Sequence, residues 1–291
     1  MRIKSKILLL ILICFVITEL VYPVEKIPLW KITSPDPKVT NSYIVGTVHI
    51  MPKEYQIPDF LNLLIDQCDE LVLEADIANI NPWEIVNHCF YKTSDKRTLK
   101  ENFNEKEWSK VLELAKMLKI PEPMLLKYKP WYFSTDTSIE NKTNIIMPDL
   151  IIQKYAISKN KRNYFLEKIV EQYEMFMKFP KSEINGMILG MADDIKKTWK
   201  NTENIQKAYK ICDIPKLTEL IHGKEYKIKY PASYKLLFNN RNEKWIPLLE
   251  KRLKKGNCII VVGVGHLLGE GNVLELLESR GYLVEPYTFQ D

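Results

Sequence analysis

Two histidines stand in matching settings far apart in the chain. Gly46-Thr47-Val48-His49 and Gly263-Val264-Gly265-His266 each follow an apolar run and each place a histidine three residues after a glycine. Imidazole is the commonest transition-metal ligand and the usual acid or base near neutral pH. If both runs are strands of one open α/β sheet, both rings face the crevice beyond the strand ends. The alternative is that each is a turn histidine satisfied by backbone groups. Glu74 is the third residue of interest, because it ends the apolar stretch LVLEAD, where a carboxylate is costly to bury without a cation or a donor. With His49 and His266 it would make a two-histidine, one-carboxylate set that leaves positions open for water and substrate. It would equally serve as a strand-end acid paired with Arg241. Asp76 lies on the same period-two face as Glu74, nearer the following loop. Arg241 offers a planar fork of donors for a carboxylate or a developing oxyanion, and Asn242 stands beside it; their structural reading is an ion pair of Arg241 with Glu74 or Glu167.

The elements that must hold these residues are legible as hydrophobic periodicity. Leu29 to Thr33 and Asn41 to Val48 read as strands around a turn, and Pro58 to Gln67 as a helix with Phe60, Leu61, Leu64 and Ile65 on one face. Leu71 to Ala75 reads as a short buried strand, which completes a βαβ unit and implies a parallel sheet. At the other end, Ser233 to Leu253 is helical, Gly256 stops it, and Cys258 to Val264 is a strand. Asn272 to Ser279 then reads as a helix and Tyr282 to Tyr287 as a last strand. Between the two units, about 81–230 shows helical spacing at Glu105 to Leu118, Pro148 to Ser158, Phe165 to Met177 and Ala192 to Thr198, punctuated by prolines. The predicted fold class is α/β: two βαβ-type units forming a central, largely parallel sheet with a mostly helical middle insertion.

Composition narrows the function classes. Apolar residues make up 46% and charged residues 27% of the 291-residue chain, which suits a folded globular protein and excludes disordered and collagen-like classes. The net charge of +5 owes much to Arg2, Lys4 and Lys6, and the basic clusters elsewhere lack interleaved aromatics, so no nucleic-acid partner is expected. Those three cations precede the apolar run Ile7 to Ile17, about eleven residues and short of the roughly 20 that span a bilayer. Residues 1–22 therefore read as a secretory signal. No Ala-x-Ala triplet precedes Pro23, so an uncleaved anchor and membrane association through this segment stay open. The expected location is exported: periplasmic, extracellular or membrane-anchored. Ile13 before Cys14 argues against lipidation. Cys68, Cys89, Cys212 and Cys258 form no CxxC pair; they are expected as buried free thiols or as two disulfides.

Four motifs in order, GTVH at 46–49, LVLEAD at 71–76, RNEKW at 241–245 and GVGHLLGEGNVLELLESRGY at 263–282, resemble the TraB/GumN family. The resemblance spans 25–291, with PDLIIQKYA at 148–156 and FLEKIVEQYEMF at 165–176 matching its middle. It adds Asp149, Glu167 and Gln172 as site candidates, although Met147 and Pro148 stand where members often have glycine before the aspartate. It implies metal-dependent peptidase activity like that of the Tiki-related members, which trim an amino-terminal segment from a secreted protein; erythromycin-esterase-like and haem-uptake ChaN-like proteins have similar folds. The expectation is a hydrolase acting on a peptide or protein, with His49, Glu74 and His266 holding a divalent metal, manganese or cobalt favoured over zinc. Glu74 or Glu167 would move the proton, and Arg241 or Asn242 would stabilise the oxyanion. An exported protein that binds a peptide or haem without turnover, and a metal-free esterase with His49 as base and Glu74 as its orienter, are the other readings.

Overall fold

The structure, a computed structural model, describes residues 26–140 and 142–289; the signal-like segment 1–22 lies outside them. The β-branched and apolar runs become β1 (Leu29–Thr33), β2 (Ser42–Thr47), β3 (Met51–Pro52), β4 (Glu70–Leu73), β5 (Ile145–Ile146), β6 (Arg162–Phe165), β7 (Cys258–Gly263) and β8 (Leu283–Pro286). Six of them form one sheet in the order β6-β4-β7-β2-β1-β8, while β3 and β5 pair separately. The neighbours β6, β4, β7 and β2 are mutually parallel, and β1 runs antiparallel between β2 and β8. All six residues of β7 are buried, as expected for a central strand covered on both faces.

The helix Asp59–Gln67 begins after Pro58 and buries Leu61, Leu64 and Ile65 against the sheet. It carries the chain from β2 to β4, yet these strands are not neighbours, because β7 enters between them. In the same way the helix Val273–Glu278 leads from β7 to β8, which pairs with β1 rather than with β7. The two units thus interleave in one sheet, and the late insertion of β7 creates a strand-order switch where ligands of open α/β sheets bind.

The middle of the chain is helical and also returns to the sheet. Arg162–Phe165 is a polar edge strand, so Phe165 belongs to β6 and the following helix starts only at Ile169. The expected helix over Ala192 to Thr198 is broken at Asp194, whose side chain accepts from Lys197 N at 3.1 Å and caps the helix Ile195–Lys210. Leu99, Trp108, Val111, Leu114, Phe133 and Ile188 form a hydrophobic cluster separate from that of the sheet. Among the described residues no helix is long and apolar enough to cross a membrane. Cys68, Cys89, Cys212 and Cys258 are free thiols, and all but Cys212 are buried.

Register decides what the sheet presents. Thr47 pairs with Gly263, while Leu73 pairs with both Val261 and Phe165, so four parallel strands end along one edge. Backbone pairing runs one residue further, Glu167 N donating to Glu74 O at 2.9 Å. His49, Glu74, Glu167 and His266 therefore all follow the carboxyl ends of adjacent strands.

Candidate active site

A crevice of about 370 Å³ opens at this edge, and His49, Glu74, Gln172, Arg241 and His266 line it. Its other walls are mostly apolar, with Met175, Phe176, Ile205, Ile221, Leu237 and Phe238. The helix Asn239–Leu253 delivers Arg241 and Asn242 from the side.

Each imidazole is fixed through Nδ1. His49 Nδ1 lies 3.0 Å from Asp149 Oδ2, and Asp149 is itself held by the Thr47 hydroxyl, which donates to Oδ1 at 2.6 Å. Pro148 occupies the first turn of the helix Pro148–Ser158, and Asp149 follows it as the buried acid of that turn. His266 Nδ1 lies 2.7 Å from Asn242 Oδ1, and Asn242 Nδ2 donates to Gly271 O at 2.9 Å. Since arginine only donates, the 2.8 Å contact of Arg241 Nη1 with His266 Nε2 leaves Nε2 as acceptor and puts the His266 proton on Nδ1. Both Nε2 atoms lie 3.9 Å from Glu74 Oε1.

Glu74 and Glu167 share the Arg241 guanidinium. Nη2 donates to Glu74 Oε2 at 2.6 Å and to Glu167 Oε1 at 2.5 Å, and Nε donates to Glu167 at 3.1 Å. Gln172 Nε2 bridges the same carboxylates at 3.3 and 2.9 Å. Glu74 Oε1 accepts from Gly263 N at 2.6 Å. A methyl group at Gly263 would come within 2.7 Å of His49 Nε2 and 3.2 Å of Glu74 Oε1, so a side chain there would push the His49 ring away from Glu74.

The electrostatics follow from these contacts. Burial opposes ionisation of Glu74, but the Arg241 charge, then His266, His49 and the Gly263 N–H, hold its carboxyl well below the usual range. Burial and the Arg241 charge keep the His266 pKa well below 6.5, so the ring is neutral. His49 differs. Burial would lower its pKa, yet the Asp149 carboxylate and hydrogen bond raise it to about 9, and 55% of its side chain is open to the crevice mouth. Its charge is thus set chiefly by Asp149.

Residue type and setting single out His49, Glu74, His266 and Arg241, and the family resemblance adds Asp149, Glu167 and Gln172; the structure brings all seven together. Asn242 sits behind His266 rather than in the crevice, which makes it a positioning group and not an oxyanion donor. Asp76 turns away, accepting from Gln153 Nε2 at 2.7 Å and from Asn79. The partner of His49 is Asp149 rather than the expected orienter Glu74. Thr47 and the Gly263 N–H carry no sequence signal of their own; Thr47 is marked only by lying inside GTVH.

His49 Nε2, Glu74 Oε1 and His266 Nε2 are donors of the kinds a divalent cation takes, and each ring has an acceptor at its other nitrogen, as metal-binding histidines commonly do. As the side chains stand, no group of three or more His, Cys, Asp or Glu among the described residues is arranged to hold a metal ion. The third donor, His266 Nε2, faces Arg241.

A family model described as the TraB/PrgY/gumN family matches residues 28–286. No curated protein and no solved structure matches the chain.

Proposed function

The chain belongs to the TraB/PrgY/gumN family, and from that premise we propose that it is a hydrolase of amide bonds in a peptide or protein, working with a divalent cation. The observation that carries this reading is the aim of both imidazoles: each is anchored at Nδ1 and turns Nε2 to the same Glu74 oxygen, at 3.9 Å. His49, Glu74 and His266 would hold the cation, with manganese or cobalt favoured. When bound, such a cation lowers the pKa of a water toward neutrality and polarises the scissile carbonyl.

The chain's own residues do the rest. Asp149 orients the His49 ring, and Asn242 fixes the tautomer that leaves His266 Nε2 unprotonated, the nitrogen that Arg241 Nη1 now bonds. Glu167, buried behind the crevice wall and held by Gln172 and Arg241, would take a proton from the attacking water and return it to the leaving amine. The apolar walls from Met175 to Phe238 suit a hydrophobic side chain beside the scissile bond and exclude bulk water. Arg2, Lys4, Lys6 and the following apolar run support work outside the cytoplasm.

The test is digestion of a mixed peptide library with manganese, cobalt, zinc or chelator, read by mass spectrometry. Metal-stimulated fragments with the wild-type protein, absent with His49→Ala and with His266→Ala, are expected. Peptides recovered intact under every metal would point instead to a binding protein, and cleavage indifferent to chelator, of these peptides or of a simple ester added beside them, to a metal-free hydrolase with His49 as base.

A further inference from the structure

Arg241 is saturated where it lies. Its five N–H bonds are all used: Nε to Glu167, Nη2 to Glu74 and Glu167, and Nη1 to His266 Nε2 at 2.8 Å and Leu237 O at 3.4 Å. The guanidinium also packs on the Trp245 ring, its carbon 4.7 Å from the centroid, and Trp245 lies 4.4 Å from the His266 ring. A buried cation so fully bonded leaves no donor for a substrate. It does for Glu74 and His266 what a metal ion would do: it supplies the positive charge and occupies the lone pair.

We infer that Arg241 is an internal cation that competes with the divalent metal for His266 Nε2, so that the metal enters only as Nη1 gives up that nitrogen. The inference rests on the cation proposed above. An sp² ring nitrogen has one lone pair, and His266 Nδ1 is committed to Asn242, so His266 cannot serve Arg241 and a metal together. Glu74 is less restricted, because Oε1 faces the two imidazoles while Oε2 receives Nη2. Arg241 stays tethered as it yields, since its Nε and Nη2 bonds to Glu167 do not involve the metal donors. The consequence is a site that keeps its carboxylates satisfied without metal and binds metal more weakly than its donor set would by itself.

The experiment is calorimetric titration of manganese, cobalt and zinc into the wild-type protein, Arg241→Lys and Arg241→Met, with thermal unfolding as the check on folding. Arg241→Lys keeps the charge but cannot span two carboxylates and an imidazole, so it separates competition for the lone pair from charge repulsion. At least tenfold tighter binding in Arg241→Lys is expected, with Arg241→Met tighter still; if Arg241→Met does not fold, the lysine variant decides. In wild-type protein labelled with ¹⁵N at histidine, zinc should move the His266 Nε2 resonance from a hydrogen-bonded to a metal-bound shift. Equal affinity in wild type and Arg241→Lys overturns the competition and leaves the metal reading standing. Binding in none of the three proteins overturns the metal reading, and the competition with it.

Discussion

Replacing Asp149 by Asn isolates what one carboxylate does to the imidazole at the crevice mouth. In the native protein Asp149 Oδ2 lies 3.0 Å from His49 Nδ1 and the His49 pKa is raised from 6.5 to about 9, against the lowering effect of burial. Asn keeps the shape and a partner for the Thr47 hydroxyl but removes the charge. What remains is burial and the Arg241 charge, which lower the pKa, against Glu74 3.9 Å away, which raises it. The His49 pKa should therefore fall by roughly two units or more, back toward the ordinary imidazole value. The sign for stability follows. A pKa raised on folding gives stabilisation that is fully present below 6.5 and lost as pH rises through about 9. With 55% of the side chain open to solvent the effect on stability is screened, so titration is the better readout. The chain has four histidines, at 49, 88, 222 and 266, and burial pushes His222 down to about 4. Proton NMR from pH 5 to 10 on the metal-free protein should find one ring titrating near 9, lost in Asp149→Asn and in His49→Gln. A His49 ring that titrates near 6.5 in the native protein, or one unmoved by Asp149→Asn, refutes the reasoning.

Three further outcomes are expected. Gly263→Ala pushes a methyl to within 2.7 Å of His49 Nε2 and should abolish metal uptake, read by calorimetry, while circular dichroism still reports the folded sheet. Asn242→Ala removes the acceptor of His266 Nδ1 without touching the crevice; metal affinity should weaken about 10- to 100-fold, and chemical denaturation should show a loss of about 1 to 3 kcal/mol. The Glu74 carboxyl is depressed on folding, so the stability it contributes is present above its unfolded pKa of about 4.3 and lost as pH falls below that. Glu74→Gln should accordingly flatten the acid limb of a stability profile taken from pH 3 to 7, and an unchanged limb would show that Glu74 is not ionised against Arg241.

The sequence carried the site further than the topology. His49 and His266 were legible because each follows an apolar strand through a glycine, and a strand end is where side chains leave the sheet. Glu74 was legible because a carboxylate in LVLEAD needs a cation, and Arg241 supplies it at 2.6 Å. The metal and ion-pair readings of Glu74 compete for that same carboxylate. The His49–Asp149 contact was not legible, since two residues 100 positions apart meet only after the helix Pro148–Ser158 packs beside β4. The strand β6 was missed because Arg-Asn-Tyr-Phe at a sheet edge needs little apolar content. No local pattern announces that β7, almost the last strand, enters between β4 and β2; it follows from which buried faces fit. Asp194 ended a helix by capping the next one, a signal that apolar spacing does not contain.

The most direct measurement is the stoichiometry of manganese or cobalt bound by the purified protein, beside His49→Ala and Glu74→Gln, with peptide cleavage followed on the same samples. One bound ion per chain, lost with cleavage in both variants, is predicted. A wild-type protein that binds no ion and cleaves equally well in chelator would contradict the account.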